Sequence, residues 1–226
     1  EIISTKPWPP LNQNSLDKQL TKFRGTIKQL PPKISSIHVK GERAYKRAQR
    51  GESFNLPKRS ITIYELNLLN WDQTTGQIEI NLHCSSGTYI RSIARDLGES
   101  LGCGACLARL RRTKALGFQE KEAIELPTTK DQVTTKIPSI IPPLQALNHL
   151  PKLRLSTEEE VHYWRTGRQL KIPIKRLQHP PGDNCSTKKT FRDSLVIIDL
   201  SEEVVGIAKL NTASEVQPKV VFNAIG

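Results

Sequence analysis

The chain has 226 residues, 36% of them hydrophobic, and a formal net charge of +12 at pH 7. This length suffices for one sizeable domain and a small one. No stretch approaches the roughly 20 apolar residues of a membrane-spanning helix, which excludes a helical membrane protein. The charge favours an anionic partner, either nucleic acid or an acidic membrane surface, over a merely solvated basic surface, and we expect nucleic acid.

The start of the chain carries two further expectations. No signal peptide opens the sequence, so we expect a cytoplasmic protein with reduced thiols. Methionine is absent and the first residue is Glu1. Initiator methionine is normally trimmed only before small residues, so we expect the chain to begin inside a longer protein.

Helical and strand patterns follow one another over residues 1–126. Leu16, Leu20 and Phe23 share one face of a predicted helix, and the alternation in Gln77–Cys84 is typical of a half-buried antiparallel strand. In chain order the predicted elements are an extended arm over 1–14, a helix over 16–23 capped by Ser15, a strand over 26–30, a strand and turn over 35–41, a helix over 42–50 ending before Gly51, a hairpin of strands 60–71 and 77–84 with a turn at Thr75-Gly76, a helix capped by Thr88 and ended by Gly102, and a helical stretch over 105–112 with Leu107 and Leu110 inward.

A Pro- and Thr-rich break in composition separates this part from the rest. We place a linker at residues 127–149, between a first domain of residues 1–126 and a small domain of residues 150–226. The small domain is predicted to contain a strand over 150–155, a helix over 156–165 with a capping box of Ser156 and Glu159 and a turn at Gly167, a mobile polar loop over 178–190, and strands over 195–199, 204–210 and 218–223. The pattern therefore predicts an α+β fold with a mixed, largely antiparallel sheet and flanking helices, followed by a small, mostly β domain.

Cys103 and Cys106 have the C-x-x-C spacing of some metal and redox sites. A zinc site would need a second pair at matching spacing, and a redox motif would need a βαβ context. The sequence offers neither, and its histidines show no metal spacing. We therefore expect no metal site and interpret these cysteines as small residues that pack a helix.

Tyr89 and Arg91 are predicted to lie at the first turn of a helix that follows a strand. Backbone N–H groups point outward there. The simpler interpretation is a core aromatic residue and a surface cation. Because Arg91 has apolar neighbours, we expect it to be partly buried and to need a carboxylate partner. Asp96 is one candidate, and a residue absent from this chain is the other.

A group of cations surrounds the predicted helix over 42–50. A solvated helix face would explain them, but the high net charge favours a surface that tracks phosphates. The predicted contacts are Lys40, Arg43, Lys46, Arg47 and Arg50.

Several segments together resemble the TruB family of bacterial tRNA pseudouridine synthases, from about residue 1 to residue 126. They are Phe23–Pro32, which is similar to the family's F-x-G-x-x-x-Q-x-P-P segment, Ser35–Gly41 with Tyr45, Ala48 and Gly51, the run Cys84–Arg91 with Asp96-Leu-Gly98, and Leu110-Arg111-Arg112. This sequence departs from the family pattern at Ser36, His38 and Gln49, which puts single RNA contacts in doubt.

The resemblance implies a pseudouridine synthase catalytic domain, with an RNA-binding thumb at about residues 31–58, and a small PUA-like C-terminal domain. The implied reaction isomerises the T-loop uridine of tRNA, position 55. The C1′–N1 bond breaks and C1′ then bonds to C5, on a base that has first left its stack. It implies neither metal nor organic cofactor. We expect tRNA, through its T-arm stem-loop, as the partner of a monomer that binds no membrane.

Site residues are implied in the same way. Arg91 would pair with the catalytic aspartate and keep it ionised, while Tyr89 would contact the uracil or transfer a proton. Leu110 would line the base pocket, and Arg111 and Arg112 would lie near phosphates. The family's aspartate lies in a G-x-L-D segment, which this sequence lacks. We therefore expect no turnover by the chain alone.

Two functions remain open. The first is a tRNA uridine isomerase whose aspartate is supplied by polypeptide missing from this sequence. The second is a non-catalytic tRNA-binding or RNA-folding protein that never had the aspartate, which predicts salt-sensitive binding without isomerisation.

Overall fold

The computed structural model describes residues 6–125, 139–180, 194–211 and 214–225. The chain divides into two compact units, Glu1–Leu110 and Arg111–Gly226, here called the first and second unit. Most of the predicted linker lies outside the described residues. The predicted domain and linker boundaries therefore stay predictions.

The first unit contains three helices and five strands within its described residues. In chain order they are α1 (Gln13–Thr21), β1 (Gly25–Gln29), β2 (His38–Val39), β3 (Glu42–Arg43), α2 (Ala44–Gln49), β4 (Arg59–Asp72), β5 (Gln77–Cys84) and α3 (Ile90–Leu101). Each predicted strand of this part is found within a few residues of its expected bounds.

Helix α1 begins earlier than predicted. Asn12, not Ser15, is its N-cap, since the Asn12 side chain accepts a hydrogen bond of 2.8 Å from the Ser15 backbone N–H. The Ser15 hydroxyl donates back to the Asn12 carbonyl at 2.8 Å. Asparagine and serine are both favourable N-cap residues, so the sequence alone does not distinguish between them.

The core of the first unit lies between its helices and one face of a sheet with strand order β1-β4-β5. Both strand pairs are antiparallel, and the predicted hairpin and the alternation of β5 are confirmed. The buried residues of this core are Leu16, Leu20, Phe23, Ile61, Ile63, Leu66, Ile93 and Leu97. Strands β1 and β5 each pair on one side only within the described part of the chain.

Strands β2 and β3 and helix α2 form a small projection, here called the thumb, within residues 31–58. The helix predicted over residues 42–50 starts only at Ala44, because Glu42 and Arg43 pair with Val39 and His38 as a ribbon. Lys40 and Gly41, with φ of 50° and 84°, make the tight turn of this ribbon. Its apolar residues form a cluster of their own, which consists of Ile37, Ala44, Phe54 and Leu56, with Val39, Ala48 and Tyr89 packed against it.

The helical stretch predicted over residues 105–112 is wrong, as is the inward orientation of Leu110. Residues 104–113 contain no helix, and Leu110 is 65% exposed. After α3 the chain turns back at Gly102 and Gly104, which have positive φ. A Cβ at Gly98 would lie 2.1 Å from the Ala105 backbone nitrogen. The segment therefore packs directly on the backbone of α3 instead of forming a helix.

The second unit is mostly β, as predicted. Its elements are β6 (Lys114–Ala115), β7 (Phe118–Gln119), a 3-10 turn (Glu120–Glu122), α4 (Pro143–Ala146), β8 (Lys152–Arg154), α5 (Glu158–Arg165), β9 (Leu170–Lys171), a 3-10 turn (Ile174–Arg176), β10 (Leu177–Gln178), β11 (Leu195–Ile198), β12 (Val204–Leu210) and β13 (Glu215–Val221). Six strands of the described chain form one sheet of order β10-β8-β11-β12-β13-β9, parallel only between β8 and β11. The α+β prediction is confirmed.

Trp164 on α5 is fully buried at the centre of the second core, and its indole N–H donates to the Val205 carbonyl at 2.8 Å. The predicted capping box of Ser156 and Glu159 is wrong, because Thr157 is the N-cap of α5 and its hydroxyl accepts from the Glu160 N–H at 3.1 Å. The Glu160 carboxylate accepts from the N–H of Ser156, the residue before the N-cap, at 2.6 Å. Most of the loop predicted over residues 178–190 lies outside the described residues. Within them, no helix has the length and apolar character needed to cross a bilayer.

Candidate active site

The turn from β5 into α3 positions the first residues of the candidate site. Ser85 binds the Thr62 backbone through its own N–H at 2.8 Å and through its hydroxyl, which accepts from the Thr62 N–H at 3.0 Å. The predicted N-cap, Thr88, instead donates its hydroxyl to the Ser85 carbonyl at 2.9 Å. Tyr89 is the N-cap residue of α3 and makes no side-chain capping bond. The N-terminus of α3, the end whose first backbone N–H groups have no preceding turn to donate to, thus starts at Tyr89.

Gln29 fixes the backbone of Tyr89. Its side-chain oxygen accepts from the Tyr89 N–H at 2.9 Å, and its side-chain nitrogen donates to the Tyr89 carbonyl at 3.2 Å. Gln29 is only 1% exposed, so these bonds satisfy a buried amide. Gln29 is the glutamine of the F-x-G-x-x-x-Q-x-P-P segment, but its contact with Tyr89 was not predicted. Its strand also contains the polar residues Thr26 and Lys28, so the polarity of Gln29 alone gave no signal.

The first turns of α3 are also bound to the residue that directly follows β1. The Ser92 hydroxyl and the Arg95 guanidinium both donate to the Leu30 carbonyl, each at 2.9 Å. Arg95 also pairs with Asp96 at 2.6 Å. Asp96 is therefore not the partner of Arg91, and that alternative is wrong.

Arg91 is exposed, which corrects the expectation of partial burial. Its position on α3 faces away from the buried Ile93. One terminal nitrogen of the guanidinium donates to the Ile34 carbonyl at 3.0 Å. Within the described residues no carboxylate contacts Arg91, so the remaining donors of the guanidinium face solvent.

Tyr89 and Arg91 line one open cavity of about 310 Å³. The other lining residues are Ile34, Ser35, Ser36 and Tyr45. The thumb supplies Tyr45, whose backbone N–H donates to the Ser35 carbonyl at 3.0 Å. Tyr89 also packs against the apolar cluster of the thumb. The phenol and the guanidinium that the sequence singled out are thus neighbours, at the base of the thumb.

Two of the predicted RNA-binding cations are engaged within the protein. Arg50 pairs with Glu42 at 2.5 Å and with Glu52 at 2.7 Å, and Arg47 pairs with Glu52 at 2.6 Å. The hydrogen bond from Arg50 holds the pKa of Glu42 below its usual value, and those from Arg47 and then Arg50 do so for Glu52. These bonds also raise the pKa of the Arg50 guanidinium. Because both guanidinium charges face carboxylates, they add little to the positive field of the thumb.

Three other cations of the thumb remain available. Arg43 donates to the Ser36 carbonyl at 2.6 Å with one nitrogen. Lys40 and Lys46 are exposed and make no hydrogen bond or ion pair with the part of the chain that the structure describes. Among the predicted RNA-binding cations of the thumb, these three face no carboxylate in the part of the chain that the structure describes.

The remaining predicted residues follow α3. Leu110 does not line the cavity, and its role in a base pocket stays a prediction. Arg111 belongs to the second unit and pairs with Glu120, which raises the pKa of Arg111. Arg112 is exposed. No cluster of His, Cys, Asp and Glu in the described ranges could hold a metal ion.

Two family models match the chain in succession. The model of the TruB family pseudouridylate synthase N-terminal domain matches residues 1–90. The model of the tRNA pseudouridylate synthase B C-terminal domain matches residues 91–147.

Curated relatives resemble the chain over its whole length. A tRNA pseudouridine synthase B of Prochlorococcus marinus strain MIT 9313 is 48% identical over 236 residues, which cover 100% of this chain and 73% of the relative. The protein of the same name from Parasynechococcus marenigrum strain WH8102 is 46% identical and is covered to 71%.

Solved structures support the fold alone, because their sequence identity is low. A chain of a Cbf5-Nop10-Gar1 complex superposes with a TM-score of 0.67 at 22% identity over 97% of this chain. A chain of an H/ACA RNP bound to a substrate RNA containing 2′-deoxyuridine gives 0.61 at 20% identity. This chain spans 65% and 63% of those two chains. The matches of both family models and the 48% identity show that the chain belongs to the TruB family, the isomerases that convert uridine to pseudouridine in tRNA.

Proposed function

We propose that this protein acts on the T-arm stem-loop of tRNA and that the cavity at Tyr89 and Arg91 receives the T-loop uridine at position 55. The observation that carries the proposal is the shared cavity, which brings two tyrosines and an arginine together beside a basic thumb. A base that undergoes chemistry must leave its stack, and aromatic side chains suit a flipped base.

The proposed chemistry needs a carboxylate beside Arg91. The C1′–N1 bond of the uridine breaks, the uracil turns, and C1′ bonds to C5. The C5 proton is then lost and N1 is protonated, so that the product is an isomer of the substrate. Arg91, with donors free toward solvent, keeps the family's aspartate ionised, since an opposite charge nearby favours the charged form. Tyr89 contacts the uracil or transfers a proton.

The thumb holds the RNA by its phosphates. Lys40, Arg43 and Lys46 make the main contacts, since Arg47 and Arg50 are neutralised by carboxylates. Arg111 and Arg112 lie near phosphates in this proposal. Backbone contacts of this kind position an RNA without reading its sequence. We further propose that the protein is a cytoplasmic monomer.

A hybrid enzyme tests this function. It joins this chain to the segment of the Prochlorococcus marinus relative that carries the G-x-L-D aspartate, and it is incubated with a T-arm stem-loop RNA. We expect conversion of the target uridine by the hybrid, and binding without conversion by the 226-residue chain.

The alternative is a non-catalytic tRNA-binding protein. Arg91 contacts no carboxylate among the described residues, which is the observation that favours it. A hybrid that binds the RNA but leaves every uridine unchanged would establish this alternative. Pseudouridine formed by the 226-residue chain alone would show that the family's aspartate is not needed.

A further inference from the structure

Ser35 has a buried hydroxyl without a hydrogen-bond partner. The residue is 6% exposed, and its Oγ contacts no donor or acceptor in the described residues. The other two buried polar side chains among the described residues of the first unit, Gln29 and Ser92, are both hydrogen-bonded. An unpaired buried hydroxyl destabilises a fold, so such a group needs a physical reason.

The surroundings of Ser35 supply that reason. Its backbone is already engaged, because its N–H donates to the Lys33 carbonyl at 3.1 Å and its carbonyl accepts from Tyr45. Ser35 also lines the cavity that Tyr45 and Tyr89 share. The hydroxyl is therefore the one polar group of this residue left for a molecule that enters the cavity.

The chemistry of the cavity favours a nucleobase over a phosphate as that molecule. Two tyrosines and Ile34 line the cavity, and Arg91 is the one cation among its lining residues. Flipped bases are held by stacking on aromatic and apolar side chains and by hydrogen bonds to their polar edge. A serine hydroxyl can donate to a base carbonyl or accept from a ring N–H. A pyrimidine such as uracil presents both kinds of group.

We infer that Ser35 is a substrate-binding residue whose hydroxyl hydrogen-bonds to the polar edge of the flipped pyrimidine. This inference rests on the proposed function and adds a base contact to it. One hydrogen bond of about 0.5–1.5 kcal/mol corresponds to roughly a two- to tenfold change in affinity.

The experiment compares two T-arm stem-loop RNAs, one with uridine and one with an abasic residue at the target position. The 226-residue chain is titrated with each, as wild type, Ser35→Ala and Ser53→Ala. We expect the wild type to prefer the uridine RNA, and Ser35→Ala to reduce that preference by about two- to tenfold. Ser53→Ala is the matched control, since Ser53 is exposed and does not line the cavity, and it should keep the preference.

Thermal unfolding separates binding from a structural role. If Ser35 served the fold, removing its hydroxyl would lower the unfolding temperature. We expect Ser35→Ala to unfold at the wild-type temperature or above, because the hydroxyl has no partner to lose.

Three outcomes would overturn the inference. Ser35→Ala could keep the full preference for the uridine RNA, or it could weaken binding to both RNAs equally. The third outcome is that the wild type binds both RNAs with equal affinity. In each of these cases T-arm recognition would still stand. Failure of the wild type to bind either RNA would instead overturn the proposed function and this inference with it.

Discussion

At the scale of single residues, Arg91 has guanidinium donors that no described carboxylate occupies. One nitrogen is held by the Ile34 carbonyl, which orients the planar group, and the other donors stay free. Arginine binds carboxylates through two parallel N–H bonds, which a lysine ammonium cannot reproduce. The proposed pairing with the family's aspartate thus depends on the shape of the guanidinium as well as on its charge.

We expect Arg91→Lys in the hybrid enzyme to lower kcat by at least about tenfold, equivalent to about 1.4 kcal/mol of transition-state stabilisation. Single-turnover formation of pseudouridine under saturating enzyme measures this effect. RNA affinity is the control and should change little, because lysine keeps the positive charge. A wild-type rate would remove Arg91 from the site.

Arg43 is expected to contact a phosphate. We expect Arg43→Ala to weaken stem-loop binding and to reduce the slope of log K against log salt by about one unit. Binding titrations of the 226-residue chain between low and physiological salt give that slope. Lys18→Ala removes an equal charge from α1, outside the thumb cluster, and should leave the slope unchanged. Equal slopes for wild type and Arg43→Ala would make Arg43 an ordinary surface cation.

Sequence patterns found only part of this site. Tyr89 and Arg91 were predictable together, because they lie two residues apart at one helix start. Gln29, Ser35 and Tyr45 precede Tyr89 by 44 to 60 residues. They lie at the same site because β1 and the thumb position them there. Their motifs were visible in the sequence, but only the tertiary structure shows that they meet.

At the scale of elements, the thumb depends on contacts outside its helix. Helix α2 has six residues, too few to be stable by itself in water. Arg50, at its C-terminal end, binds Glu42 before the helix and Glu52 after it. The ion pairs therefore connect the residues on either side of α2 through its C-terminal end.

We expect Arg50→Ala to loosen the thumb without changing the salt slope of RNA binding. Amide hydrogen exchange over residues 42–56 should become faster, because Glu42 loses its ion-pair partner and Glu52 loses one of two. Lys46→Ala is the comparison, since it removes a free cation from the same helix. It should leave exchange unchanged but reduce the salt slope. The opposite pattern for the two variants would contradict this division of roles.

Helix α5 carries a pH-sensitive ion pair. Arg176 binds both oxygens of Glu160, at 2.8 and 2.9 Å, and this holds the pKa of Glu160 below its ordinary value of 4.5. Because the pKa of Glu160 is lowered in the folded state, the ion pair contributes its full stabilisation of the fold above the ordinary pKa of the carboxyl group. Its contribution is lost as the pH falls through the lowered pKa.

We therefore expect the second unit to lose stability below about pH 4.5, and Glu160→Gln to reduce that loss. Thermal unfolding of the whole chain between pH 3 and 7 measures it. Glu158→Gln is the control, because Glu158 lies in the same first turn and makes no ion pair in the described part of the chain. Identical pH profiles for wild type and Glu160→Gln would exclude this pair as the cause.

Elements with a strict pattern were predicted well and those decided by close packing were not. The β4–β5 hairpin follows from its alternation of apolar and polar residues. The stretch after α3 has helical spacing, yet Gly98 lets its backbone lie against the helix, which spacing cannot show. Two of the three N-cap errors arose where a neighbouring polar residue caps the helix, Asn12 instead of Ser15 and Thr157 instead of Ser156. At α3 the N-cap Tyr89 makes no capping bond at all.

At the scale of the whole molecule, each unit has its own buried core. Leu16 and Leu20 are fully buried in the first, and Trp164 is fully buried in the second. The sheet of the first unit has three strands, and the partly buried Ile78, Ile80 and Leu82 lie on its edge strand β5. Unpaired edges with apolar residues lower stability and favour association. The first unit should therefore be the less stable of the two.

We expect calorimetry of the 226-residue chain to show two unfolding transitions, the first unit at the lower temperature. Leu20→Ala should shift only the lower transition, through a loss of about 2–5 kcal/mol from the first core. Trp164→Phe should shift only the upper one, because it leaves the Val205 carbonyl without its indole donor. Each variant is the control for the other. One sharp transition that both substitutions move together would show that the two cores unfold as a single cooperative structure.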